Sequence, residues 1–303
     1  MTMDLQSFAK ISRGLSKIAR VVTGHQMAGR NLTVYSDDIF LTSYPRSGNT
    51  WARFLIGNLI YQDDPVTFLN VEDRIPEIYF NSDHRMRDLE RPRILKSHEC
   101  FQPHYPRVIY IVRDPRDVAV SFYHHNVKAG NIADNYPMEE FIPRFIAAEF
   151  DSKWGSWAEH VQSWILLRNN DPKFILLRYE EMKANPEREL LRLTEFLERC
   201  SFREIDSSLE ELQRAIQISS PERMRKLEKE QGKKWVLTRA TRADKPFVRT
   251  AKSGGWKSVL SPAAVAAIEL AWGPLMQSLG YELSAPSYPP EAPPVIYKTV
   301  GMK

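Results

Sequence analysis

Short apolar runs separated by helical patterns constrain the fold of this chain more than any other feature. Three runs are mainly apolar rather than alternating with polar residues: Ile39 to Tyr44, Val108 to Val112 and Phe174 to Leu177. Strands that are buried on both faces have this composition, and a helical pattern follows each run. The sequence therefore predicts a single-domain α/β fold with a central parallel sheet flanked by helices.

The predicted helices begin at pairs in which a capping residue precedes proline. A side chain that accepts from the free backbone amides is followed by a residue suited to the first turn. These pairs are Asp114-Pro115, Asn185-Pro186, Ser220-Pro221 and Ser261-Pro262. We expect the last helix to end at Gly280. Ligands of parallel sheets bind at the carboxyl ends of the strands, so the turns after Tyr44 and Val112 are the expected site.

The two ends of the chain differ in composition from the predicted domain, residues 31–283. Residues 1–30 contain one acidic side chain and a basic amphipathic pattern. The pattern predicts a helix that either packs on its own domain or lies on a membrane surface. Residues 284–303 contain five prolines, which predicts an extended tail.

Composition indicates a folded protein of a reducing compartment. The chain has 303 residues and only two cysteines, Cys100 and Cys200, too few for a disulfide scaffold. No apolar run reaches the roughly 18 residues of a membrane-spanning helix. We therefore expect a cytoplasmic protein, with peripheral membrane contact through the first helix left open. The segment from Pro221 to Lys257 contains twelve Lys and Arg but only four Asp and Glu. This basic excess indicates either an anionic partner or a solvated basic face.

The segment from Pro45 to Thr50 has the features of a P-loop-like phosphate-binding loop. It lies between a predicted strand and a predicted helix, where free backbone amides attract anions. In a nucleotide triphosphate loop a lysine occupies the place of Asn49 and a glycine that of Ser43. The cation here is Arg46. The simplest interpretation is a loop that binds a phosphate group without a metal-bound triphosphate, and the alternative is a plain helix cap.

The segment Tyr44 to Trp51 resembles the 5′-phosphosulfate loop of the PAPS-dependent sulfotransferases, whose donor is 3′-phosphoadenosine 5′-phosphosulfate. Six further segments resemble that family in the family's order. They are Leu95 to His98, Arg113 to Ser121, Gly155 to Trp164, Tyr179 to Met182, Phe247 to Arg249 and Gly254 to Lys257. The resemblance spans residues 39–260. It implies an enzyme that transfers a sulfuryl group from PAPS to a hydroxyl of a small-molecule or lipid acceptor, with no metal and no nucleic acid, and releases adenosine 3′,5′-bisphosphate (PAP).

The resemblance also implies roles for three catalytic residues. His98 is the expected general base, because an unperturbed histidine pKa near 6.5 suits proton removal from a hydroxyl. Arg46 stands at the position of the family's catalytic lysine and would stabilise charge on the bridging oxygen, or only bind the phosphate. Lys96, two residues before His98, would contact the transferring sulfuryl oxygens.

The donor-binding residues implied by the resemblance fall into three groups. Arg46, Ser47, Gly48, Asn49 and Thr50 would hold the 5′-phosphate. Arg113, Ser121 and Arg249 would bind the 3′-phosphate. Trp51 and Tyr179 would pack around adenine. The remaining donor-binding residues are Ser219, Phe247, Val248, Thr250 and Ala251.

The acceptor is not readable from the sequence. Acceptor specificity is expected in Asn58 to Arg93 and in the loop Gly130 to Pro137, and the Trp154, Trp157 and Trp164 cluster is expected in the core rather than in a pocket. Two alternative functions remain: a nucleotide-dependent kinase or other phosphoryl transferase, and a non-catalytic nucleotide-binding protein. The sequence does not predict an oligomeric state.

Overall fold

Four parallel strands form the centre of the molecule, in the spatial order β2-β1-β3-β4. The strands are β1 (Ile39–Ser43), β2 (Ile94–Ser97), β3 (Arg107–Val112) and β4 (Phe174–Arg178). The computed structural model describes residues 28–202, 204–249 and 251–284. Most of the predicted N-terminal helix, the predicted tail after Ser284, and Thr250 lie outside these residues. The prediction of an α/β fold with a central parallel sheet is confirmed.

Helices of very different lengths connect and cover the strands. Those between β1 and β2 are α1 (Asn49–Ile60), α2 (Val71–Arg74) and α3 (Asp83–Arg87). Those between β3 and β4 are α4 (Pro115–Ala129), α5 (Met138–Ile146) and α6 (Trp157–Arg168). Those after β4 are α7 (Tyr179–Ala184), α8 (Pro186–Arg199), α9 (Leu209–Ile218), α10 (Pro221–Gln231) and α11 (Pro262–Ser278). Short 3₁₀ turns occur at Gly29–Asn31, Ser152–Trp154 and Gly255–Ser258.

The apolar runs form strands because helices bury both faces of the sheet. All five residues of β1 are buried. Ile39 and Leu41 contribute to the core on one face, and Phe40 contributes to the core on the other. Val108 and Ile109 of β3 divide between the same two cores. This two-residue alternation between two apolar layers explains why the strands lack the polar face of an exposed sheet.

Four helices begin at the capping residue and proline pairs predicted from the sequence. The side chains of Asp114, Ser220 and Ser261 each accept a hydrogen bond from a backbone amide in the first turn of the helix that follows. Asn185 precedes α8 but makes no such bond. The last helix ends at Ser278, and Gly280 follows in the left-handed region with φ 78°.

The parallel arrangement brings three chain segments to one edge of the sheet. The loop after β1, the residue after β2 and the turn after β3 all leave the carboxyl ends of adjacent strands. Thr42 of β1 is in register with Ser97 of β2, and Ser43 is in register with Ile111 of β3. Arg46, His98 and Arg113 therefore project from neighbouring positions at this edge. No helix within the described part of the chain is long and apolar enough to cross a membrane.

Candidate functional site

The loop after β1 has a backbone conformation that a glycine makes possible. Gly48 precedes α1 with φ 98°, and Arg46 also has a positive φ of 69°. A Cβ atom at Gly48 would lie 2.4 Å from Cδ2 of Tyr179. The loop and the Tyr179 ring can therefore pack together only because position 48 has no side chain.

The loop keeps polar groups at the helix N-terminus. The first backbone amides of α1 have no carbonyl partner within the helix. The buried Ser47 Oγ and Asn49 Oδ1 also have no hydrogen-bond partner among the described residues. The Asn49 side-chain nitrogen, predicted as a ligand donor, donates instead to Ser43 Oγ at 3.1 Å and to Leu41 O at 3.4 Å. An anion at this turn would satisfy the amides and the Ser47 hydroxyl.

Three guanidinium groups surround this turn. Arg113 donates to the backbone oxygen of Arg46 at 3.3 Å and to that of Lys252 at 3.2 Å. Burial, followed by the positive charges of Arg113 and Arg249, lowers the pKa of Arg46 to about 10. Burial and the charge of Arg113 lower the pKa of Arg249 as well. Mutual repulsion of buried cations is a cost that a bound polyanion removes.

Ser121 lies at the same place, two turns into α4. Arg46 Nε donates to Ser121 Oγ at 3.3 Å, and the Arg46 guanidinium lies 4.9 Å from the centre of the Phe247 ring. Arg46, which was predicted to bind the 5′-phosphate, therefore contacts Ser121, which was predicted to bind the 3′-phosphate. The structure brings the two groups into one continuous region.

The first turn of α4 also holds the segment after Arg249. Asp117 accepts from the backbone amides of Gly254, at 2.7 Å, and Trp256, at 3.0 Å. Its carboxylate lies 3.9 Å from the Arg113 guanidinium. Asp117 therefore fixes the 254–256 turn beside the arginine cluster and offsets part of its charge.

Aromatic rings close the other side of the loop. Trp51 and Tyr179 meet edge to face with centroids 5.4 Å apart, and the Arg113 guanidinium lies 4.3 Å from the centre of the Tyr179 ring. Trp51 donates to the backbone oxygen of Ser219 at 3.0 Å. The Ser219 hydroxyl is fully buried and accepts from Asn58 at 2.9 Å. The structure thus places Ser219 beside Trp51 and not on the cavity wall, which Trp51 and Tyr179 line.

His98 follows directly after β2 and its ring has a defined tautomer. The ring Nδ1 lies 2.7 Å from the backbone oxygen of Ser43. A carbonyl oxygen only accepts, so Nδ1 carries the proton and Nε2 is left with its lone pair. Burial, and then the charge of Lys96, lower the pKa of His98 well below the usual histidine value. His98 is therefore neutral at physiological pH and oriented to accept a proton through Nε2.

A second histidine fixes the backbone of His98. His160 Nε2 donates to the backbone oxygen of His98 at 2.9 Å, and Tyr110 donates its hydroxyl to His160 Nδ1 at 2.8 Å. Burial lowers the pKa of His160 to about 4, which keeps this ring neutral as well. The segment that contains His160 belongs to the resemblance, but the resemblance implied no role for this residue.

Lys96 forms a buried ion pair that the sequence did not predict. Its Nζ lies 2.5 Å from Oε1 of Glu77, and both side chains are 4% exposed. Burial lowers the pKa of Lys96 to about 8, although the Glu77 carboxylate opposes the shift. Lys96 therefore carries its charge at neutral pH next to His98.

A single cavity of about 620 Å³ joins these groups. Its wall includes the predicted residues Arg46, Gly48, Asn49, Thr50, Trp51, Lys96, His98, Arg113, Ser121, Tyr179, Phe247, Val248, Arg249 and Ala251. Ser47, in the same loop, is fully buried, and its Oγ has no hydrogen-bond partner among the described residues. The cavity also reaches residues from both segments in which acceptor specificity is expected, through Tyr79 and Asn131. The described residues contain no group of three or more His, Cys, Asp or Glu placed to hold a metal ion.

Part of the cavity wall was not predicted from the sequence. Glu77 and Tyr79 belong to a segment that matched no motif, although that segment was expected to contribute to specificity. All three tryptophans belong to the buried core, as expected: Trp157 and Trp164 are fully buried, and Trp154 is buried as well. Trp154 also lines the cavity, with the centre of its ring 5.8 Å from that of His98, so the expectation of core rather than pocket holds in full only for Trp157 and Trp164.

Comparison with protein families identifies a sulfotransferase domain over residues 36–280, most of the chain. Among curated proteins, Sulfotransferase 1A1 of Canis lupus familiaris is 32% identical over 179 residues, which cover 54% of this chain and 59% of that protein. Sulfotransferase 2B1 of Homo sapiens is 30% identical over 184 residues, covering 57% and 49%. The matched part of the chain thus spans only about half to three fifths of the length of these relatives.

Solved structures share the fold. Mouse sulfotransferase SULT7A1, complexed with PAP, superposes with a TM-score of 0.64 at 23% identity, covering 82% of this chain and 87% of that one. Retinol dehydratase, in complex with androsterone and the inactive cofactor PAP, gives a TM-score of 0.62 at 19% identity and covers 84% of both chains.

Proposed function

We propose that this chain, which belongs to the sulfotransferase domain family, transfers a sulfuryl group from PAPS to a hydroxyl of a small-molecule or lipid acceptor. One observation carries the proposal. A neutral histidine with an unprotonated Nε2 lines the same cavity as the turn after β1 and the three guanidinium groups around it. A base and a polyanion site that share one cavity suit transfer from an anionic donor to a hydroxyl.

The turn after β1 and the arginine cluster would bind the donor. The amides at the start of α1 and the hydroxyls of Ser47 and Thr50 would hold the 5′-phosphate. Arg113, Arg249 and Ser121 would hold the 3′-phosphate, with Arg guanidinium groups suited to its paired oxygens. Trp51 and Tyr179 would pack against the base.

His98 and two cations would act on the transferring group. His98 Nε2 takes the proton of the acceptor hydroxyl while its oxygen forms a bond to sulfur. The bond between sulfur and the bridging oxygen breaks. PAP leaves with the bridging oxygen and the electron pair of the broken bond. Arg46 stabilises the charge on the bridging oxygen, and Lys96 stabilises the sulfuryl oxygens. Because Arg46 stays protonated, it acts by charge and not as a proton donor.

Transfer of ³⁵S from labelled PAPS to an acceptor mixture tests this function. The wild-type protein should form labelled product without added Mg²⁺. His98→Ala should lower the rate by about 10²-fold or more, since a positioned base contributes that much. PAP binding by the variant, measured by calorimetry, should stay within a few-fold of the wild type.

The matched control is His104→Ala, because His104 is an exposed histidine six residues further along the chain. This variant should transfer label at the wild-type rate. An active wild-type protein whose rate is unaffected by His98→Ala would contradict the role of His98. Phosphate transfer from ATP with Mg²⁺ and no label transfer from PAPS would favour a phosphoryl transferase instead.

A cytoplasmic location stays a prediction.

A further inference from the structure

A carboxylate oxygen at the cavity wall has no role in the reaction described above. Glu77 lines the cavity together with Lys96 and His98. Its Oε1 pairs with Lys96 Nζ at 2.5 Å, whereas its buried Oε2 has no hydrogen-bond partner among the described residues. A buried carboxylate oxygen without a donor carries a desolvation cost. A ligand that donates a hydrogen bond to Oε2 would remove that cost.

Backbone contacts hold Glu77 in this place. Its amide donates to Oε2 of Glu72 at 2.9 Å, and its carbonyl accepts from the Asn81 side chain at 3.0 Å. Glu77 also forms an isolated parallel bridge with Lys96 of β2. The carboxylate is therefore fixed at the wall by its neighbours and is not a mobile surface group.

The charges around Glu77 favour a neutral donor over a cationic one. The Lys96 ammonium already neutralises the carboxylate. A second ammonium, that of Lys153, lies 4.1 Å from the ring centres of both Tyr79 and Trp154 on the same wall. A protonated amine on a ligand would be repelled by both ammonium groups, whereas an uncharged hydroxyl would not be repelled. The expected donor to Oε2 is therefore a hydroxyl.

Aromatic side chains next to Glu77 suit a cyclic apolar body. Tyr79 and Trp154 have ring centroids 4.9 Å apart, and the Trp154 ring lies 5.8 Å from that of His98. Glu77 pairs with Lys96, which stands two residues before His98, and all three side chains line the same cavity. One hydroxyl of a ring system can therefore donate to Glu77 Oε2 while a second hydroxyl of the same ligand approaches His98.

We infer that Glu77 accepts a hydrogen bond from a second hydroxyl of the acceptor, so that the site selects cyclic acceptors with two hydroxyls over those with one. The inference rests on the proposed function, because the first hydroxyl is the one that His98 deprotonates. Glu77 is then a specificity-determining residue of the acceptor site.

A matched series of phenols tests the inference: phenol and the three benzenediols, with kcat/KM measured for sulfation of each. A benzenediol gains a factor of two in kcat/KM over phenol simply because it has two equivalent hydroxyls. A hydrogen bond to Glu77 should raise the ratio to about tenfold or more for at least one isomer. Glu77→Gln should reduce that preference to about twofold. Using the ratio within each variant cancels any general loss caused by the altered pairing of Lys96.

Asp151→Asn is the control, because Asp151 is another carboxylate on the cavity wall. It should keep the diol preference whatever its effect on turnover. Calorimetric titration of each phenol into the PAP complex provides a second readout that does not require turnover, and it should show the same preference.

A wild-type protein without a diol preference in either readout would overturn the inference, and so would a preference that survives Glu77→Gln or is lost in Asp151→Asn. A protein that binds PAP but neither binds nor sulfates any benzenediol would also overturn it, while leaving the nucleotide site intact. A protein that does not bind PAP would instead overturn the proposed function.

Discussion

Gly48 is the residue whose identity the loop depends on most strictly. Its φ of 98° disfavours any other residue, and an added Cβ would lie 2.4 Å from the Tyr179 ring. Gly48→Ala should therefore cost about 1–2 kcal/mol of stability for the backbone alone. It should also displace Tyr179 and weaken PAP binding by about tenfold or more. Urea denaturation and calorimetry would measure the two effects.

Gly130→Ala is the matched control for this substitution. Gly130 also has a positive φ, 77°, but an added Cβ there has no atom within 4 Å. It should show the same backbone cost and leave PAP binding unchanged. If both variants bind PAP as the wild type does, the contact between Gly48 and Tyr179 has no part in forming the nucleotide site.

The pH profile of kcat/KM should report His98 and Lys96. Burial lowers the pKa of His98 well below its usual range, so the base stays unprotonated and the acidic limb should lie below the usual histidine pKa. Burial lowers the pKa of Lys96 to about 8, so its positive charge, and with it the rate, should decline as pH rises above 8. An acceptor whose hydroxyl does not titrate below pH 10 keeps the profile free of substrate ionisation.

Lys96→Arg identifies the source of the alkaline limb. Arginine stays protonated throughout the range, so this variant should lose the decline above pH 8 even if its overall rate is lower. An alkaline limb that persists in Lys96→Arg would assign the decline to another group.

Single residues were the least predictable part of the site. The loop glycine and His98 could be identified because local motifs surround them. The pairing of Lys96 with Glu77 could not, because the two residues are far enough apart in the chain that only the folded sheet brings them together. The inward turn of the Asn49 side chain depends on the Ser43 and Leu41 oxygens of β1, which no spacing rule reveals.

Among the elements, α4 links the stability of the fold to the site. Asp114 caps it by accepting from the Arg116 amide, and the same carboxylate pairs with the buried Arg116 guanidinium at 2.7 Å. Asp114→Asn keeps an oxygen that can cap the helix but removes the charge that pairs with Arg116. It should lower the free energy of unfolding by about 2 kcal/mol, as expected for a lost charged hydrogen bond, because Glu269 still pairs with Arg116 at 2.6 Å.

Ser208→Ala removes an exposed cap from α9, where the serine accepts from Glu211 N at 3.4 Å. This control should cost about 1 kcal/mol or less in the same urea titrations. Equal losses in the two variants would mean that the Asp114–Arg116 pair contributes no more than an exposed cap.

Elements were easier to predict than their contacts. Three strands were predicted from apolar runs, and the helix starts from proline pairs, because these signals are local. The edge strand β2 was not among them, since Lys96 and Ser97 end the apolar run after Ile94-Leu95. Yet all four of its residues are buried, and the charge of Lys96 is tolerated there because Glu77 pairs with it.

At the scale of the whole molecule, the basic excess between Pro221 and Lys257 has two different uses. Arg249 and Lys252 line the cavity. Arg242 and Lys245 instead pair with Asp134, which lies in the loop after α4. The sequence predicted an anionic partner or a solvated face, and the structure shows that the segment contributes both to the cavity wall and to surface ion pairs. Counting charges cannot separate these uses, because the separation depends on which side chains the fold turns inward.

We expect one cavity to hold both phosphate ends of the same nucleotide. Calorimetric titration of the protein with PAP and with 5′-AMP, which lacks the 3′-phosphate, measures the contribution of the second phosphate. The arginine cluster around Arg113 and Arg249 predicts saturable binding of both nucleotides, with PAP tighter by about tenfold or more. Equal affinities for the two nucleotides, or no heat with PAP, would contradict this arrangement.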